Sequence, residues 1–203
     1  MNKTLYIASL LAMPFVMSSS PVWGIALNLV VSPETIDVGN QIDVDLVISD
    51  LGNNTPPSLG TYDIDITFDD RILDFNSAVF GDAILGNQLD LGGFGSLAEV
   101  LEPATVTVNV SELSLDFPDA LDTLQPNSFS LATLTFDGIG AGTSPLAFGD
   151  VILGDAFGDP LTPVTTDSSV LVEALDSTPT PEPFSIVSFL MVGLWTITKK
   201  IRN

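Results

Sequence analysis

Carboxyl groups are the only side chains in this sequence that are both abundant and suited to acid–base or metal chemistry. The 203 residues include 26 Asp and Glu, 5 Lys and Arg, no His and no Cys. Nucleophile systems built on Ser/His/Asp or Cys/His, zinc sites made of Cys or His, and disulfides all need side chains that are absent. The chemistry that remains is carboxylate catalysis or the binding of hard cations such as Ca²⁺.

One pair of carboxyl groups has the spacing of a catalytic pair. Asp63 and Asp65 alternate with apolar residues, so both point to one face of a strand, with their carboxyl groups roughly 7 Å apart. That separation suits an inverting glycosidase. Asp43 and Asp45 repeat the pattern, as a solvated strand face does, and we therefore predict no catalytic residue and no enzyme. A ligand-facing role for Asp63, with Thr61 and Asp65 beside it, remains as a hypothesis.

Asp-rich turns raise the question of calcium. The segment 155–159 begins and ends with Asp, but Phe157 occupies the second ligand position of an EF-hand loop and the closing Glu is absent. We predict a β-turn there, no metal site and no cofactor. Weak Ca²⁺ binding stays open at three pairs of acids in predicted turns: Asp69 with Asp70, Asp119 with Asp122, and Asp150 with Asp155.

Charge is distributed very unevenly along the chain. Residues 25–178 contain 25 acidic residues and one basic residue, Arg71, which gives a formal charge of −24. The remaining basic residues lie near the two ends of the sequence. A body this acidic repels phosphate backbones, which excludes nucleic acid as a partner. We expect Arg71 to pair with a neighbouring Asp.

The segments that carry these acids have the period of β-strands. Apolar and polar residues alternate over 41–49 and 61–69, and no segment keeps a helical apolar period for three turns. We predict an all-β domain of two packed antiparallel sheets, a β-sandwich, with one helical turn at 119–124. The predicted strands cover residues 25–31, 41–49, 61–69, 72–80, 104–113, 128–136, 145–153 and 165–174.

The two ends of the chain differ in composition from this body. Lys3 precedes an apolar run over 4–17 and small residues before position 26, the pattern of a secretory signal peptide, which we assign to residues 1–26. A polar linker is predicted at 176–183 and an apolar helix with a basic tail at 184–203. The 15 residues of the largely apolar segment 184–198 reach about 22 Å as a helix. A hydrocarbon layer is ~30 Å thick, so we expect a transient membrane segment.

The C-terminal segment resembles the PEP-CTERM sorting signal of exported bacterial proteins. Three features carry the resemblance: a tripeptide before the predicted apolar helix, the helix itself, and a basic cluster after it. The tripeptide is Pro181, Glu182 and Pro183, and the cluster is Lys199, Lys200 and Arg202. It implies that an exosortase, a membrane enzyme, processes the protein. It also implies delivery to the cell surface or the extracellular matrix, often together with exopolysaccharide.

The order of strands and turns in residues 27–175 resembles the cohesin module. The stretches that carry the resemblance are 36–44, 59–75, and 129–136 followed by 142–146. The resemblance implies a nine-stranded sandwich of jelly-roll topology that docks a dockerin and is related to carbohydrate-binding modules. In dockerin-binding cohesins one strand presents Asn-x-Asp to the partner. Here Thr61 stands in place of the Asn, and Asp63 matches the Asp.

Together these features predict an exported, non-enzymatic docking or scaffolding module of the cell envelope or extracellular matrix. A surface protein is the expected partner, because few aromatic residues lie outside strand interiors, where they could stack on sugars. A polysaccharide partner remains the alternative. Leu91, Phe94 and Leu97, around the Gly-rich loop 92–95, offer a further apolar patch, although we expect them to pack across the end of the sandwich.

Overall fold

The computed structural model describes residues 24–175, which form two β-sheets and one short helix. The elements in chain order are β1 (Ala26–Ser32), β2 (Thr35–Asp37), β3 (Gln41–Ser49), β4 (Leu59–Thr67), β5 (Leu73–Phe80), β6 (Ser96–Ala104), β7 (Thr107–Ser114), α1 (Pro118–Leu124), β8 (Phe129–Gly138), β9 (Gly142–Asp155), β10 (Pro160–Leu161), β11 (Val164–Thr166) and β12 (Ser168–Glu173). Most of the predicted signal peptide, the linker 176–183 and the helix 184–203 lie outside the described residues. Ile25 is buried and Ala26 begins β1, so the sandwich includes both.

The prediction of an all-β architecture with two sheets is confirmed. One sheet has the strand order β11-β1-β3-β8-β5, and the other has the order β2-β12-β9-β4-β7-β6, with β10 beside β9. Most neighbouring strands are antiparallel, as predicted. Two pairs at the sheet edges are parallel instead, β1 with β11 and β12 with β2. The predicted single strand 165–174 is two strands in the structure, because β11 belongs to the first sheet and β12 to the second.

The core lies between the sheets and follows the period-two pattern of the sequence. Every second residue of β3 is buried, and Tyr62, Ile64 and Ile66 of β4 are buried opposite them. Phe136 of β8 lies edge-on to two other rings, 5.1 Å from Phe68 and 5.6 Å from Phe75 between ring centroids. Aromatic contacts of this kind add to the area that each ring buries, so this cluster joins the two sheets.

The strand β6 is the main element that the sequence pattern missed. Its burial does not alternate, because most of its side chains are exposed on both faces. It is a strand only because its backbone pairs with β7 along one edge of the sheet. A pattern of hydrophobicity detects burial and not backbone pairing, so the prediction of a single strand over 104–113 was wrong. That strand begins at Thr107, after a turn, and β6 precedes it.

A buried polar network supports the second sheet from inside. The hydroxyl of Tyr62 donates to Oε2 of Glu112 over 3.0 Å, and Nδ2 of Asn87 donates to Oε1 of the same carboxyl group over 2.6 Å. Glu112 is fully buried and carries no ion pair with any described residue. Burial, together with the charge of Glu112, raises the pKa of the Tyr62 hydroxyl far above its usual range. The hydroxyl is therefore a fixed donor.

Several carboxyl groups hold the turns by accepting backbone N–H bonds. Asp82 accepts from the N–H groups of Leu85, Ile84 and Ser130 at 2.9, 2.8 and 3.1 Å. Asp155 accepts from Phe157 and Asp159. The segment 155–159 is thus a turn closed by its own first carboxyl group, the local bonding typical of Asp in turns.

The hydrogen bonds to Asp82 make the stability of the fold pH-dependent. The N–H groups, that of Leu85 first, hold the pKa of Asp82 below its usual range. A lowered folded pKa stabilises the protein above the unfolded pKa of about 3.9 and loses that contribution as pH falls through the folded value. We expect Asp82→Asn to lower the free energy of unfolding by about 1 kcal/mol at pH 7.

The difference in the free energy of unfolding between wild type and Asp82→Asn should become smaller as the pH falls below about 4. Urea titrations at a series of pH values measure it. Asp74→Asn is the matched control, because the Asp74 carboxyl group accepts no hydrogen bond from residues 24–175. A difference that stays constant from pH 7 to pH ~2.5 would contradict the role given to Asp82.

Candidate binding face

The outward side of four neighbouring strands, β9, β4, β7 and β6, forms one continuous surface, here named the β4 face. Residues that lie opposite each other across antiparallel strands point to the same side of the sheet. The register therefore sets Ile152, Asp63, Ser111 and Glu99 in one row across the strands. The adjacent rows contain Thr61, Leu113 and Leu97 on one side and Asp65, Asn109 and Leu101 on the other.

The three predicted site residues lie together on this face, as alternate residues of β4. Nδ2 of Asn109 donates to Asp63 Oδ1 over 2.6 Å and to Asp65 Oδ1 over 2.8 Å. The hydroxyl of Thr61 donates instead to the backbone carbonyl of Glu112. An amide nitrogen thus bridges the two carboxyl groups and brings their bonded oxygens closer together than the ~6.5–9.5 Å of an inverting glycosidase pair. The second oxygen of each carboxyl group accepts no bond from residues 24–175.

Large apolar side chains surround these carboxyl groups. Ile152 is 63% exposed, Leu97 61%, Leu101 49% and Leu113 46%. Leu97 and Leu113 lie opposite each other, while Ile152 and Leu101 lie on the two sides of the acids, so exposed aliphatic and acidic side chains are interspersed on this face. Of the four, only Leu97 was predicted from the sequence to belong to an apolar patch. The others, and Asn109, become recognisable when β6 and the strand register are known.

The outward side of the opposite sheet has a different character. Three of its acids accept side-chain hydrogen bonds: Thr135 donates to Asp43 over 2.7 Å and Thr133 to Asp45 over 2.6 Å. Asp137 accepts from Asn76 and Gln41, and these bonds hold the pKa of its carboxyl group below the usual range. Asp43 and Asp45 each accept one side-chain bond, as Asp63 and Asp65 do on the β4 face. The β4 face differs in the exposed aliphatic residues that lie around its carboxyl groups.

The one basic residue among residues 24–175 does not neutralise the β4 face. Arg71 forms a 2.6 Å ion pair with Asp69, as expected from the sequence. The hydrogen bonds from Arg71 lower the pKa of Asp69 to about 2. This pair lies beyond the end of β4, about 13 Å along the chain from Asp65, and Asp69 takes up the charge of Arg71. The face therefore keeps the negative charge of Asp63, Asp65 and Glu99.

The loop residues named from the sequence do not form a single patch. Phe94 packs edge-on against Phe117, with 5.3 Å between the ring centroids, while Leu97 belongs to the β4 face and Leu91 is half-buried. The backbone N–H groups of Gly92 and Phe94 donate to Asp116. These bonds fix the loop against the end of β7.

Two further features concern cations and membranes. No group of three or more acidic side chains within residues 24–175 is arranged to hold a metal ion, so weak Ca²⁺ binding by pairs of acids stays a prediction.

The single helix in this range, α1, is far too short to cross a membrane.

Comparison with known proteins gives the fold. No family model matches the chain, and no curated protein sequence matches it. Its structure is similar to the sixth cohesin of scaffoldin B from Acetivibrio cellulolyticus, solved in complex with a mutant Cel5 dockerin, at 18% identity and a TM-score of 0.58, covering 74% of this chain and 99% of that one.

Two further cohesins show the same likeness. A type II cohesin module from the adaptor scaffoldin ScaA of Acetivibrio cellulolyticus gives 13% identity and a TM-score of 0.59, covering 79% of this chain and 97% of that one. A non-cellulosomal cohesin from Archaeoglobus fulgidus gives 13% identity and a TM-score of 0.55, covering 73% of this chain and 91% of that one. Identities this low establish architecture and not function. The chain has a cohesin-like fold.

Proposed function

We propose that this protein is a non-enzymatic docking module whose β4 face binds a protein partner that presents Lys or Arg among apolar side chains. The observation that carries the proposal is the composition of that face, with exposed Leu and Ile residues around Asp63, Asp65 and Glu99. Apolar contacts supply affinity, and the carboxyl groups select a basic partner and guide it to the face.

A dockerin like those bound by cellulosomal cohesins is not the partner that we propose. Thr61 occupies the position of the Asn in the Asn-x-Asp pattern, and its hydroxyl already donates to the carbonyl of Glu112. It therefore has no second proton to offer. A partner that supplies its own donors, as Lys and Arg do, suits Asp63 and Asp65 better.

The size of the face sets a limit on the interface. Four strands about 4.8 Å apart and nine residues long offer roughly 19 Å by 30 Å, or ~570 Å². A standard interface buries about 800 Å² on each partner. The first figure is a projected area and the second an accessible surface, so a stable complex covers nearly the whole face and gains further area from surfaces beside the strands.

We further propose that the protein is exported and sorted by its C-terminal segment to the cell surface or extracellular matrix. The support is the signal-peptide pattern at 1–26 together with Pro181, Glu182 and Pro183 before the apolar segment and its basic tail. Proline favours an extended backbone for the residue before it, which is why we expect Glu182 to be accessible to an exosortase-type enzyme at the membrane boundary.

Processing by such an enzyme removes the apolar segment. We expect mass spectrometry of the surface-released protein to find a C-terminus within 176–184 and no peptide from Phe184 onward. The reason is that the apolar segment, which we predict to be a short helix, holds the protein at the membrane only until the enzyme cleaves it. Mature surface protein that still ends at Asn203 would contradict processing and leave a tail anchor.

A polysaccharide partner is the second candidate, and one observation favours it. Phe94, Phe117 and Phe157 are 61, 66 and 70% exposed, although the sequence pattern indicated few exposed aromatic rings. Exposed rings can stack on sugars. Binding of the organism's own exopolysaccharide that is lost in Phe157→Ala and unchanged in Asp63→Lys would favour this candidate over protein docking.

The docking proposal is tested by capture with matched charge reversals. The full chain, Asp63→Lys and Asp43→Lys are each used to capture proteins from the surface extract, with cross-linking. Both variants make the same change on an outward strand position, but on opposite sheets. We expect Asp63→Lys to reduce capture of the partner at least about tenfold, since it removes one attraction and adds a repulsion. Capture that Asp43→Lys reduces equally would contradict the proposal.

A further inference from the structure

A cleft adjoins the β4 face at the end where β4 begins and where β7 and β9 end. It has a volume of about 240 Å³, and its lining includes Thr61, Leu113, Asp116, Asp155 and Phe157. Thr61 and Leu113 belong to the β4 face as well, so the cleft continues that surface. It provides the extra contact area that the flat strands lack.

The size of the cleft limits what enters it. At about 240 Å³ the cleft is smaller than typical small-molecule pockets of ~300–1,000 Å³. It therefore suits a single long side chain that projects from a partner lying on the β4 face.

Two fixed carboxyl groups give the cleft its charge. Asp116 is buried, and its two oxygens accept the N–H groups of Gly92 and Phe94 at 2.6 and 3.2 Å. Asp155 uses Oδ1 to accept two N–H groups of its own turn. Its Oδ2 receives no donor from the described part of the chain. The acid groups are thus held in place without a cation, since Arg71 is paired with Asp69 beyond the other end of β4.

Apolar surface lines the same cleft. Leu121 of α1 is buried in the lining, and the exposed ring of Phe157 and the side chain of Leu113 border it. Lys and Arg combine an aliphatic stem with a charged end, and the stem packs on apolar surface while the charge remains near polar groups. A cation next to an aromatic face gains further attraction.

We propose that this cleft receives a single Lys or Arg side chain of the protein that docks on the β4 face. The inference rests on the proposed docking function and deepens it, because it names a basic anchor residue in the partner. Charge complementarity and continuity with the β4 face support this occupant. An uncharged polar side chain of the same length would leave the carboxyl groups unmatched.

The test uses a small probe, so that it does not depend on isolating the partner. The full chain, labelled with ¹⁵N and held in zwitterionic detergent micelles in about 0.15 M salt, is titrated with acetyl-arginine methylamide. Acetyl-citrulline methylamide, which has nearly the same shape and no charge, is the matched probe. We expect millimolar binding with backbone amide shifts confined to the cleft, at Thr61, Leu113, Phe157 and Gly158, and weaker shifts with citrulline.

Variants show whether the cleft itself binds the probe. Asp155→Asn should weaken arginine binding about fivefold, the effect of roughly 1 kcal/mol, because it keeps the turn acceptor and removes the charge. Asp43→Asn, on the opposite sheet, should leave binding unchanged. Equal shifts with citrulline, shifts spread over the acidic surface, or no shifts at ~50 mM probe would each overturn the cleft proposal.

The probe and the capture assay separate the two proposals. Capture that depends on Asp63, together with a probe that does not select the cleft, would overturn the anchor site alone. Binding of arginine confined to the cleft, together with capture that ignores Asp63→Lys, would overturn the β4 face as the docking surface. It would support the cleft as a site for basic side chains.

Discussion

Replacing Phe136 with Ala is expected to lower the free energy of unfolding by about 4 kcal/mol. Phe136 is fully buried, and its ring meets Phe68, next to β4, and Phe75 of β5. The substitution removes the burial of a ring and leaves a cavity where the two sheets meet. A rigid β-sandwich collapses around such a cavity only in part, so the lost burial of the ring and the remaining cavity both lower the free energy of unfolding.

Urea denaturation of both proteins measures this effect. Phe94→Ala is the control, because Phe94 has the same chemistry but is 61% exposed at a loop. We expect it to change the free energy of unfolding by less than about 1 kcal/mol. A loss below about 1.5 kcal/mol in Phe136→Ala would show that the ring cluster does not join the sheets.

Removal of the Tyr62 hydroxyl is the second large effect. Tyr62→Phe takes a buried donor from Glu112, whose only other side-chain donor among residues 24–175 is Asn87. A hydrogen bond to a charged group contributes about 1.5–3 kcal/mol, and a buried acceptor that loses its donor adds a desolvation cost. We therefore expect Tyr62→Phe to lower the free energy of unfolding by about 2–3 kcal/mol.

A double-mutant cycle separates the pair from general damage to the core. Glu112→Leu leaves the Tyr62 hydroxyl with one acceptor, the carbonyl of Leu131 at 3.3 Å. The double variant removes both members, and apolar replacement of a whole buried pair is often nearly neutral. We expect it to be more stable than the sum of the two single losses by at least about 1 kcal/mol. Additive losses would mean that the two groups act independently.

The regular part of the fold could be predicted from the sequence because burial there follows the strand period. In β3 and β4 the alternation of apolar residues with Asp corresponds directly to the inner and outer sides of the sheets. The edge strand β6 could not be predicted in this way, since neither of its faces is buried regularly. The parallel pairs at the edges also depend on tertiary contacts that local patterns do not record.

The candidate site was predictable only in its first strand. Asp63 and Asp65 stand out because they share one face of β4 at a spacing of two residues. Asn109, Leu113 and Ile152 are between 44 and 89 positions away from Asp65 or Asp63 in sequence, and only the strand register brings them into the same or adjacent rows. Exposed aliphatic residues are common on protein surfaces, so their meaning depends on that arrangement.

Hydrogen exchange of backbone amides tests the central claim most directly, because it identifies the surface that the partner covers. The full chain is compared alone and with the purified captured partner, peptide by peptide. We predict slower exchange in 59–67 and 96–114 on binding, with no change in 41–49 and 129–138 of the opposite sheet. Slower exchange in 41–49 and 129–138, with 59–67 and 96–114 unchanged, would contradict docking on the β4 face.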